Sequence, residues 1–324
     1  MTVAPELLVV AGPTGVGKSA LAVEIARAVG GEVVSADSRQ VYRGLDIGTA
    51  TPTVEEQGGV RHHLLDVLDP GEHVSAGWYV RRAHRAIEDC WQRDRPAVVV
   101  GGSTLYVHAL VAGLADLRSV LADTERQLAA EIERPGGAER LFQELARVDP
   151  EAAQTLDPTK SQRLVRLVGV VRETGRPVSD LWRAQGRAPF RARLVVLDRP
   201  RDELYRRIED RVDCMVADGL EREVASVLER WPGSEPLLGA TIGYREWLPV
   251  LAGEQTREEA IRLVKRNSRR YAKRQLTWYR RYPDALWLNA ESATAAQVLG
   301  SVAPWPWASA GGDATRERGL LPTR

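Results

Sequence analysis

Lysine is scarce in this chain of 324 residues: only four of its 45 basic residues, at positions 18, 160, 265 and 273, are Lys, and the rest are Arg. Cysteine is scarcer still. Cys90 and Cys214 lie far apart and form no C-x-x-C pair, so no disulfide framework is expected and both read as core thiols in a reducing compartment. The five histidines, at 62, 63, 73, 84 and 108, show no zinc-ligand spacing, which argues against a histidine metal centre. No stretch approaches 18 consecutive apolar residues, so no membrane-spanning helix is expected. Met1-Thr2-Val3-Ala4-Pro5 leads almost at once into an apolar run, which leaves no room for a signal peptide. The expectation is a cytoplasmic protein with no internal repeat, whose 44% hydrophobic content is ample for a packed core.

Against that background one segment stands out. Gly12-Pro13-Thr14-Gly15-Val16-Gly17-Lys18-Ser19 fits G-x-x-x-x-G-K-[ST] without departure. It follows the apolar run Leu7–Ala11, which reads as a buried strand, and precedes Ala20–Ala26, which reads as a helix. A strand, a glycine loop and a helix N-terminus together form an anion site, because backbone N–H groups point inward and the helix dipole adds positive potential. Lys18 would reach terminal phosphates and the Ser19 hydroxyl would sit on Mg²⁺. A di- or polyphosphate ligand is therefore expected.

The first 115 residues alternate strand and helix. Glu32–Asp37 and Ala97–Val100 read as strands, and 76–93 and 103–114 as helices. This pattern specifies an α/β fold with a parallel sheet. Residues 116–190 carry no convincing strand and read as a helical insertion, with a break at Pro135-Gly136-Gly137 and a helix from Asp157-Pro158 to Gly175-Arg176-Pro177. Residues 191–300 return to the core with the strand Arg193–Asp198, helices to Gly219 and to about Arg230, and an edge strand at 285–288. Thr256–Glu259 reads as a capping box opening a helix over 257–281. From Ser301 to Arg324 a disordered tail is expected.

Net charge is +1 overall, yet residues 257–281 hold ten Lys or Arg against two Glu, a net +8 interleaved with Tyr271, Trp278 and Tyr279. With few acids nearby to pair it, this helix suits a nucleic-acid backbone, although a charge run can equally be a solvated face. Asp37, at a strand end beside the glycine loop, could hold Mg²⁺ through water, act as a base, or cap a helix. Gly101-Gly102-Ser103 offers either a second anion site or a tight turn. The strand Ala97–Val100 ends in Gly-Gly-Ser where a Walker B strand would end in Asp, which argues against a plain ATPase; Asp198 could fill that role instead.

Taken together, these segments resemble the tRNA dimethylallyltransferases (tRNA isopentenyltransferases). The likeness rests on Gly12 through Ser19, Asp37-Ser38-Arg39-Gln40-Val41-Tyr42 with Gly44-x-Asp46-Ile47-Gly48-Thr49-Ala50, His62-His63-Leu64, Gly101-Gly102-Ser103-x-Leu105-Tyr106, Gln162-Arg163-Leu164-Val165-Arg166, Ile242-Gly243-Tyr244-Arg245-Glu246 and Lys273-Arg274-Gln275-Leu276-Thr277-Trp278. The resemblance implies a P-loop nucleotide-kinase-like core with a helical insertion, and transfer of a dimethylallyl group from its diphosphate to N6 of adenosine 37 beside the tRNA anticodon, with Mg²⁺ required. By resemblance, Asp37 orients the amine and accepts its proton, Ser103 hydrogen-bonds the bridging oxygen, and Arg211 clamps the diphosphate. Asp37, Ser38, Arg39, Gln40, Ser103, Arg126, Gln162, Arg163, Leu164, Val165, Arg166, Gly243, Tyr244, Arg245, Lys273, Arg274 and Gln275 would meet the tRNA anticodon stem-loop. Ser at 103 departs from the Thr more usual in this family, and the zinc finger of eukaryotic members has no counterpart, as expected of a bacterial enzyme. No membrane and no obligate protein partner are implied, and a monomer is expected. Three other readings use the same residues: an adenylate isopentenyltransferase acting on free AMP or ATP, a P-loop small-molecule kinase, and a noncatalytic RNA-binding NTPase.

Overall fold

In the computed structural model, residues 6–72, 74–113, 122–157, 161–183 and 190–302 are described. They fall into two compact units, divided at Val107/His108 and at Pro189/Phe190. The first part of the chain runs β1 (Glu6–Ala11), α1 (Lys18–Val29), β2 (Glu32–Ser35), α2 (Val54–Gln57), β3 (His62–His63), α3 (Ala76–Gln92), β4 (Ala97–Gly101) and α4 (Thr104–Val111). Five helices come next: α5 (Ala122–Ile132), α6 (Gly137–Val148), α7 (Pro150–Gln154), α8 (Ser161–Thr174) and α9 (Val178–Arg183). The chain then runs β5 (Arg191–Asp198), α10 (Arg201–Asp218), α11 (Leu220–Arg230), α12 (Glu235–Gly239), α13 (Leu248–Leu251), α14 (Arg257–Tyr279), β6 (Leu286–Asn289) and α15 (Ala295–Ser301).

The sheet belongs to the first unit. Its order is β3-β2-β4-β1-β5-β6 and every pairing is parallel. Val9 of β1 sits opposite Val99 of β4 and Leu194 of β5. β4 is apolar throughout and β1 is apolar from Leu7 to Ala11 because both faces are covered. Leu8, Val10, Val98 and Val100 pack with Leu21, Ile25 and Ala26 of α1 and Val298 of α15. Alternation turns Leu7 and Val9 to the other face, where α3 packs on β2 and β4. Each such fully buried aliphatic side chain contributes about 1.5–3 kcal/mol. Parallel pairing also places the ends of β1, β2 and β4 on one edge, where the glycine loops emerge. β3 is only two residues long, and its His-His sequence carries no strand signal.

The second unit buries Leu128, Leu141, Leu145, Leu164, Leu167, Val168 and Val178 among its five helices. Asp149, nearly fully buried, caps α7 by accepting the Ala152 N–H (3.0 Å) and also takes the Ser179 N–H (2.7 Å). The expected break at Pro135–Gly137 separates α5 from α6, with Gly136 at φ 69°. The helix expected from Asp157-Pro158 is seen from Ser161; residues 158–160 lie outside the described residues.

Three local expectations are corrected. Thr256 does cap α14, accepting the Glu259 N–H at 3.2 Å, but the Glu259 carboxylate goes to Arg262. The reciprocal capping box is at Thr53 and Glu56 instead. Cys90 is buried, whereas Cys214 is exposed on α10, where it has no apolar neighbourhood to enter. Ser301 ends α15 and does not begin a tail, and residues 303–324 lie outside the described residues. Among the described residues no helix is long and apolar enough to cross a membrane.

Candidate active site

The glycine loop joins β1 to α1 and is shaped by close approaches. A Cβ on Gly12 (φ 148°) would come 2.7 Å from the Leu197 carbonyl of β5, and one on Gly15 (φ 78°) 2.9 Å from Ile208 of α10. Gly17 (φ 108°) is the N-cap of α1 and no side chain caps that end, so the dipole of a twelve-residue helix faces the loop. Arg199 Nε donates to the Val16 carbonyl and Arg207 Nε to the Gly15 carbonyl, both at 3.1 Å. These arginines hold the loop by its outward carbonyls. From α14, Gln275 spans two loops: its Oε1 accepts the Thr14 N–H (2.9 Å) and its Nε2 donates to the Gly102 carbonyl (2.7 Å).

Asp37 lies just beyond β2. Its Oδ1 accepts the N–H groups of Arg39 (2.8 Å) and Gln40 (3.4 Å), which fixes the carboxylate and leaves Oδ2 without a hydrogen bond among the described residues. Ser103, at the start of α4, accepts the Ser38 N–H at 2.8 Å and donates to Ser38 Oγ at 3.2 Å. Its hydroxyl must therefore turn off Ser38 to meet a ligand.

Two cavities meet at this point. One, of about 90 Å³, is polar and lined by Lys18, Ser19, Gln40, His62, Gly101 and Gly102 among others. The second, of about 200 Å³, is mainly apolar, with Ile208, Val212, Met215, Ile242 and Val264 in its wall. Thr14, Asp37, Thr49, Arg211 and Tyr271 line both. Asp37 is the one carboxylate on either wall among the described residues. Asp198, the alternative Walker B acid, lines neither; its Oδ1 accepts the Arg199 N–H at 2.8 Å.

The electrostatics of the polar cavity call for an anion. Part of the Lys18 residue is exposed, but its ammonium is enclosed, and burial pulls its pKa from 10.5 to about 8 against the opposing pull of Asp37. The Lys18 Nζ donates to the Pro13 carbonyl at 2.7 Å. Arg211 is likewise pulled down by burial, again opposed by Asp37. Its Nη2 reaches only the Thr49 carbonyl, at 3.4 Å, and its buried Nε has no partner. Two enclosed cations with no carboxylate in ion-pair contact among the described residues are costly unless a ligand supplies the charge. His62, lowered by burial, hydrogen-bonds the Val60 carbonyl through Nδ1 (2.9 Å).

The remaining residues implied by resemblance divide in two. Arg39 and Gly243 line the apolar cavity. Gln162 and Arg163 are exposed on α8, Arg126 is exposed on α5 and paired with Asp123, and Lys273 and Arg274 are exposed on α14. Arg245 is partly exposed and paired with Glu246. Four of the side chains implied as tRNA contacts are turned inward in this structure. Leu164 and Val165 lie in the helical core. Tyr244 is fully buried with its hydroxyl on Glu223 (2.6 Å), and Gln275 is 2% exposed with both amide ends used. The Gln40 amide also serves the fold, donating to the Thr49 and Ala50 carbonyls.

The basic helix is better paired than its sequence suggested. α10 lies against α14, and its Glu209 and Asp213 take Arg269 and Lys265, while Glu221 of α11 takes Arg257. Arg270, Lys273, Arg274 and Arg280 stay exposed with no ion pair among the described residues. Their spacing sets them on one helix face. Some structurally placed acids were not singled out from sequence. Glu223 lies in no motif, since its partners are backbone N–H groups and a tyrosine distant in sequence. Glu246, though inside a motif, has no role assigned there; it binds the Gly243 N–H and Asn267. The histidines also gain a cluster that their spacing hid: His63, Glu32 and Cys90 converge, with His63 Nε2 2.6 Å from Glu32 Oε2. Arg93 already holds both Glu32 oxygens, so a cation there would compete with a bound guanidinium.

Comparison with known proteins places the whole arrangement. The IPP transferase family profile matches residues 40–282, so the glycine loop and Asp37 lie just outside it. The chain is 45% identical over 287 residues to the tRNA dimethylallyltransferase 1 of Pelobacter propionicus, covering 88% of this chain and 93% of that one. It is 43% identical over 310 residues to the tRNA dimethylallyltransferase of Desulforudis audaxviator, covering 93% and 99%. Among solved structures, the tRNA isopentenylpyrophosphate transferase of Bacillus halodurans superposes with a TM-score of 0.64 at 37% identity, over 91% of this chain and 94% of that one. A eukaryotic dimethylallyltransferase acting on tRNA superposes at 0.76 with 28% identity, over 88% and 74%. With a P-loop and Asp37 flanking a joined pair of cavities, and likeness running over nearly the whole length, the chain belongs to the tRNA dimethylallyltransferase (IPP transferase) family of enzymes.

Proposed function

We propose that this protein moves the dimethylallyl group of dimethylallyl diphosphate onto N6 of adenosine 37 of tRNA, releasing diphosphate. The observation that carries this reading is the pair of enclosed cations, Lys18 and Arg211, with no carboxylate in ion-pair contact among the described residues, facing a polar cavity that opens at Asp37 into an apolar one. The diphosphate takes the polar end, against Lys18, Arg211 and the N-terminus of α1. The adenine, turned out of the RNA stack, enters from the apolar side.

The N6 lone pair forms a bond to the allylic carbon as the carbon–oxygen bond breaks, and the electron pair leaves on the diphosphate. Lys18, Arg211 and the loop N–H groups oppose that charge where it develops, which is where preorganised electrostatics accelerate a reaction. The extra N6 proton passes to Asp37, whose Oδ2 is uncommitted while Oδ1 is held by two backbone N–H groups. Ser103 would reach the bridging oxygen by rotating off Ser38. Tyr271 lines both cavities and burial pushes its phenol up to about 12, so it stays neutral and competes little with Asp37 as a base.

The donor set fits Mg²⁺ in company with the diphosphate. A hard cation takes oxygen ligands, and the polar wall carries the Ser19 hydroxyl, which would hold it beside the diphosphate, and the Asp37 carboxylate, which could reach it through water. When bound, Mg²⁺ would add positive charge against the leaving oxygens. The exposed stripe Arg270, Lys273, Arg274 and Arg280, with Gln162, Arg163, Arg166 and Arg126 of the helical unit, would hold the anticodon stem-loop. The helical unit thus serves as the RNA-binding insertion, and the enzyme works as a cytoplasmic monomer.

The experiment is a nucleoside digest. Protein, Mg²⁺, dimethylallyl diphosphate and unmodified tRNA should give N6-dimethylallyl adenosine by mass spectrometry. Product from AMP but not from tRNA, or ATP consumption with a phosphorylated product, would replace the proposal.

A further inference from the structure

The loop between β2 and α2 is held from below by a residue outside every motif. Glu223, on α11, accepts three consecutive backbone N–H groups: Asp46 (3.0 Å) and Ile47 (2.7 Å) on Oε2, and Gly48 (3.0 Å) on Oε1. Its Oε1 also accepts the Tyr244 hydroxyl at 2.6 Å. Four donors converge on one carboxylate. Successive N–H groups aimed at one point form a concave anion seat, and here the protein supplies the anion itself. An amide could not substitute, because its NH₂ would face N–H donors.

The seat also fixes the path of residues 48–50. Gly48 lies so close to Tyr244 that a Cβ would collide with Cε2 and Cζ of that ring. The next carbonyl, Thr49, accepts Nη2 of Arg211 and Nε2 of Gln40. Ala50 continues at φ 49°, a left-handed conformation unusual for alanine, and its carbonyl accepts Gln40 Nε2 at 3.0 Å. The Thr49 carbonyl is the only hydrogen-bond acceptor that Arg211 has among the described residues, and Thr49 lines both cavities. A shift of residues 46–48 therefore moves the single acceptor that orients an otherwise unpartnered guanidinium.

We infer that Glu223 is a positioning residue for the reaction: by seating the N–H groups of Asp46, Ile47 and Gly48 it places the Thr49 carbonyl, and through it sets Arg211 against the leaving diphosphate. The inference rests on the proposed reading of the polar cavity as the diphosphate site. Its consequence is specific. Loss of the Glu223 carboxylate weakens diphosphate binding and slows transfer while leaving the exposed Arg270, Lys273, Arg274 and Arg280 in place.

The test is a double-mutant cycle read by calorimetric titration with inorganic diphosphate in the presence of Mg²⁺. Arg211→Ala should weaken binding at least ten-fold, and Glu223→Gln about ten-fold. The double variant should be no weaker than Arg211→Ala within about two-fold, because a residue acting through Arg211 has nothing left to position. The KM for dimethylallyl diphosphate should rise in Glu223→Gln while the KM for tRNA stays put. If Glu223→Gln folds poorly, Glu223→Asp, which keeps the charge and withdraws it by one methylene, serves in the same cycle. Losses that add in the double variant, or a Glu223 variant binding diphosphate like the parent, overturn the inference alone. An Arg211→Ala variant that binds diphosphate normally overturns the cavity assignment and the inference with it.

Discussion

Gln275 offers a direct test of whether the C-terminal part of α14 serves the RNA or the phosphate loop. Its side chain is enclosed, and its amide joins the Thr14 N–H to the Gly102 carbonyl. The fit is tight: a Cβ on Gly102 would come 2.5 Å from Gln275 Nε2. In Gln275→Ala, one part-buried donor, the Thr14 N–H, and one buried acceptor, the Gly102 carbonyl, lose their partners. Each costs about 1–3 kcal/mol when left unsatisfied, and water entering the vacated space offsets part of it, so a loss of about 3 kcal/mol is expected. For a unit of this size each kcal/mol moves the melting temperature by roughly 2–4 °C, which gives a fall of about 6–12 °C. Gln275→Glu is the sharper variant. It keeps an acceptor for Thr14 but sets a second oxygen against the Gly102 carbonyl and puts a negative charge on the wall of the polar cavity. Its stability should fall at least as far, and its affinity for inorganic diphosphate by about ten-fold or more. Thermal unfolding and calorimetric titration read both effects, with Thr277→Ala, exposed on the same helix, as a comparator expected within about 0.5 kcal/mol of the parent. A Gln275→Ala protein that melts within about 1 °C of the parent yet binds tRNA poorly would refute this reasoning and return the amide to the RNA.

Three other expectations rest on the same geometry. Asp37→Asn should lower turnover by about 100-fold or more with tRNA affinity nearly unchanged, as expected of a proton acceptor; equal losses in single-turnover rate and filter-binding affinity would contradict that role. Arg270→Gln and Lys273→Gln should each reduce the slope of log affinity for tRNA against log salt by roughly 0.7–0.9 if each meets a phosphate, whereas Arg269→Gln should change it less, since Arg269 is occupied by Glu209. The Arg93 guanidinium holds the Glu32 carboxyl down at about 2, below its ordinary 4.5. Between those values the folded state binds fewer protons than the unfolded one, so this pair's stabilisation is complete above pH 4.5 and is lost as pH falls towards 2; Arg93→Gln should raise the pH of acid unfolding followed by circular dichroism.

The parts of the fold legible from sequence are those in which local pattern and tertiary role coincide. Leu7–Ala11 and Ala97–Val100 are apolar throughout because their strands are covered on both faces, and the glycine loop is read from its own residues because its backbone geometry demands them. The sheet order has no such local signature, and β3 exists only because His62 and His63 pair with Val33 and Val34. Lys18 and Asp37 were singled out from their own local motifs, and the structure sets both on the wall of the polar cavity. The site was not legible where a motif residue is turned inward. In the run Gln162–Arg166, Gln162 and Arg163 are exposed while Leu164 and Val165 enter the helical core, a split that reading the run as one motif conceals. The +8 count for residues 257–281 was right as arithmetic and misleading as electrostatics, because the acids that pair Arg269 and Lys265 come from α10, some 50 to 60 residues earlier in the chain.

The distribution of charge around the two cavities bears on why a phosphate-binding loop can serve carbon–nitrogen bond formation. β4 ends in Gly101-Gly102-Ser103, and the acid at the end of β5 is spent on its own backbone neighbourhood. Among the described residues no carboxylate is in ion-pair contact with the cations at the polar end, although Asp37 acts on both through space, so much of their field remains for a leaving diphosphate as its charge grows. The one carboxylate on the cavity walls stands instead at the junction, shared by both cavities. Moved deeper among the loop N–H groups, it would oppose the departing anion. At the junction, on the proposed reading, it meets the amine whose proton is removed as the new bond forms, while its Oδ1 is held by the N–H groups of Arg39 and Gln40. On the same reading, a carboxylate at the junction offsets the cations less than one set among the loop N–H groups would, and it suits an acceptor that arrives from the apolar side.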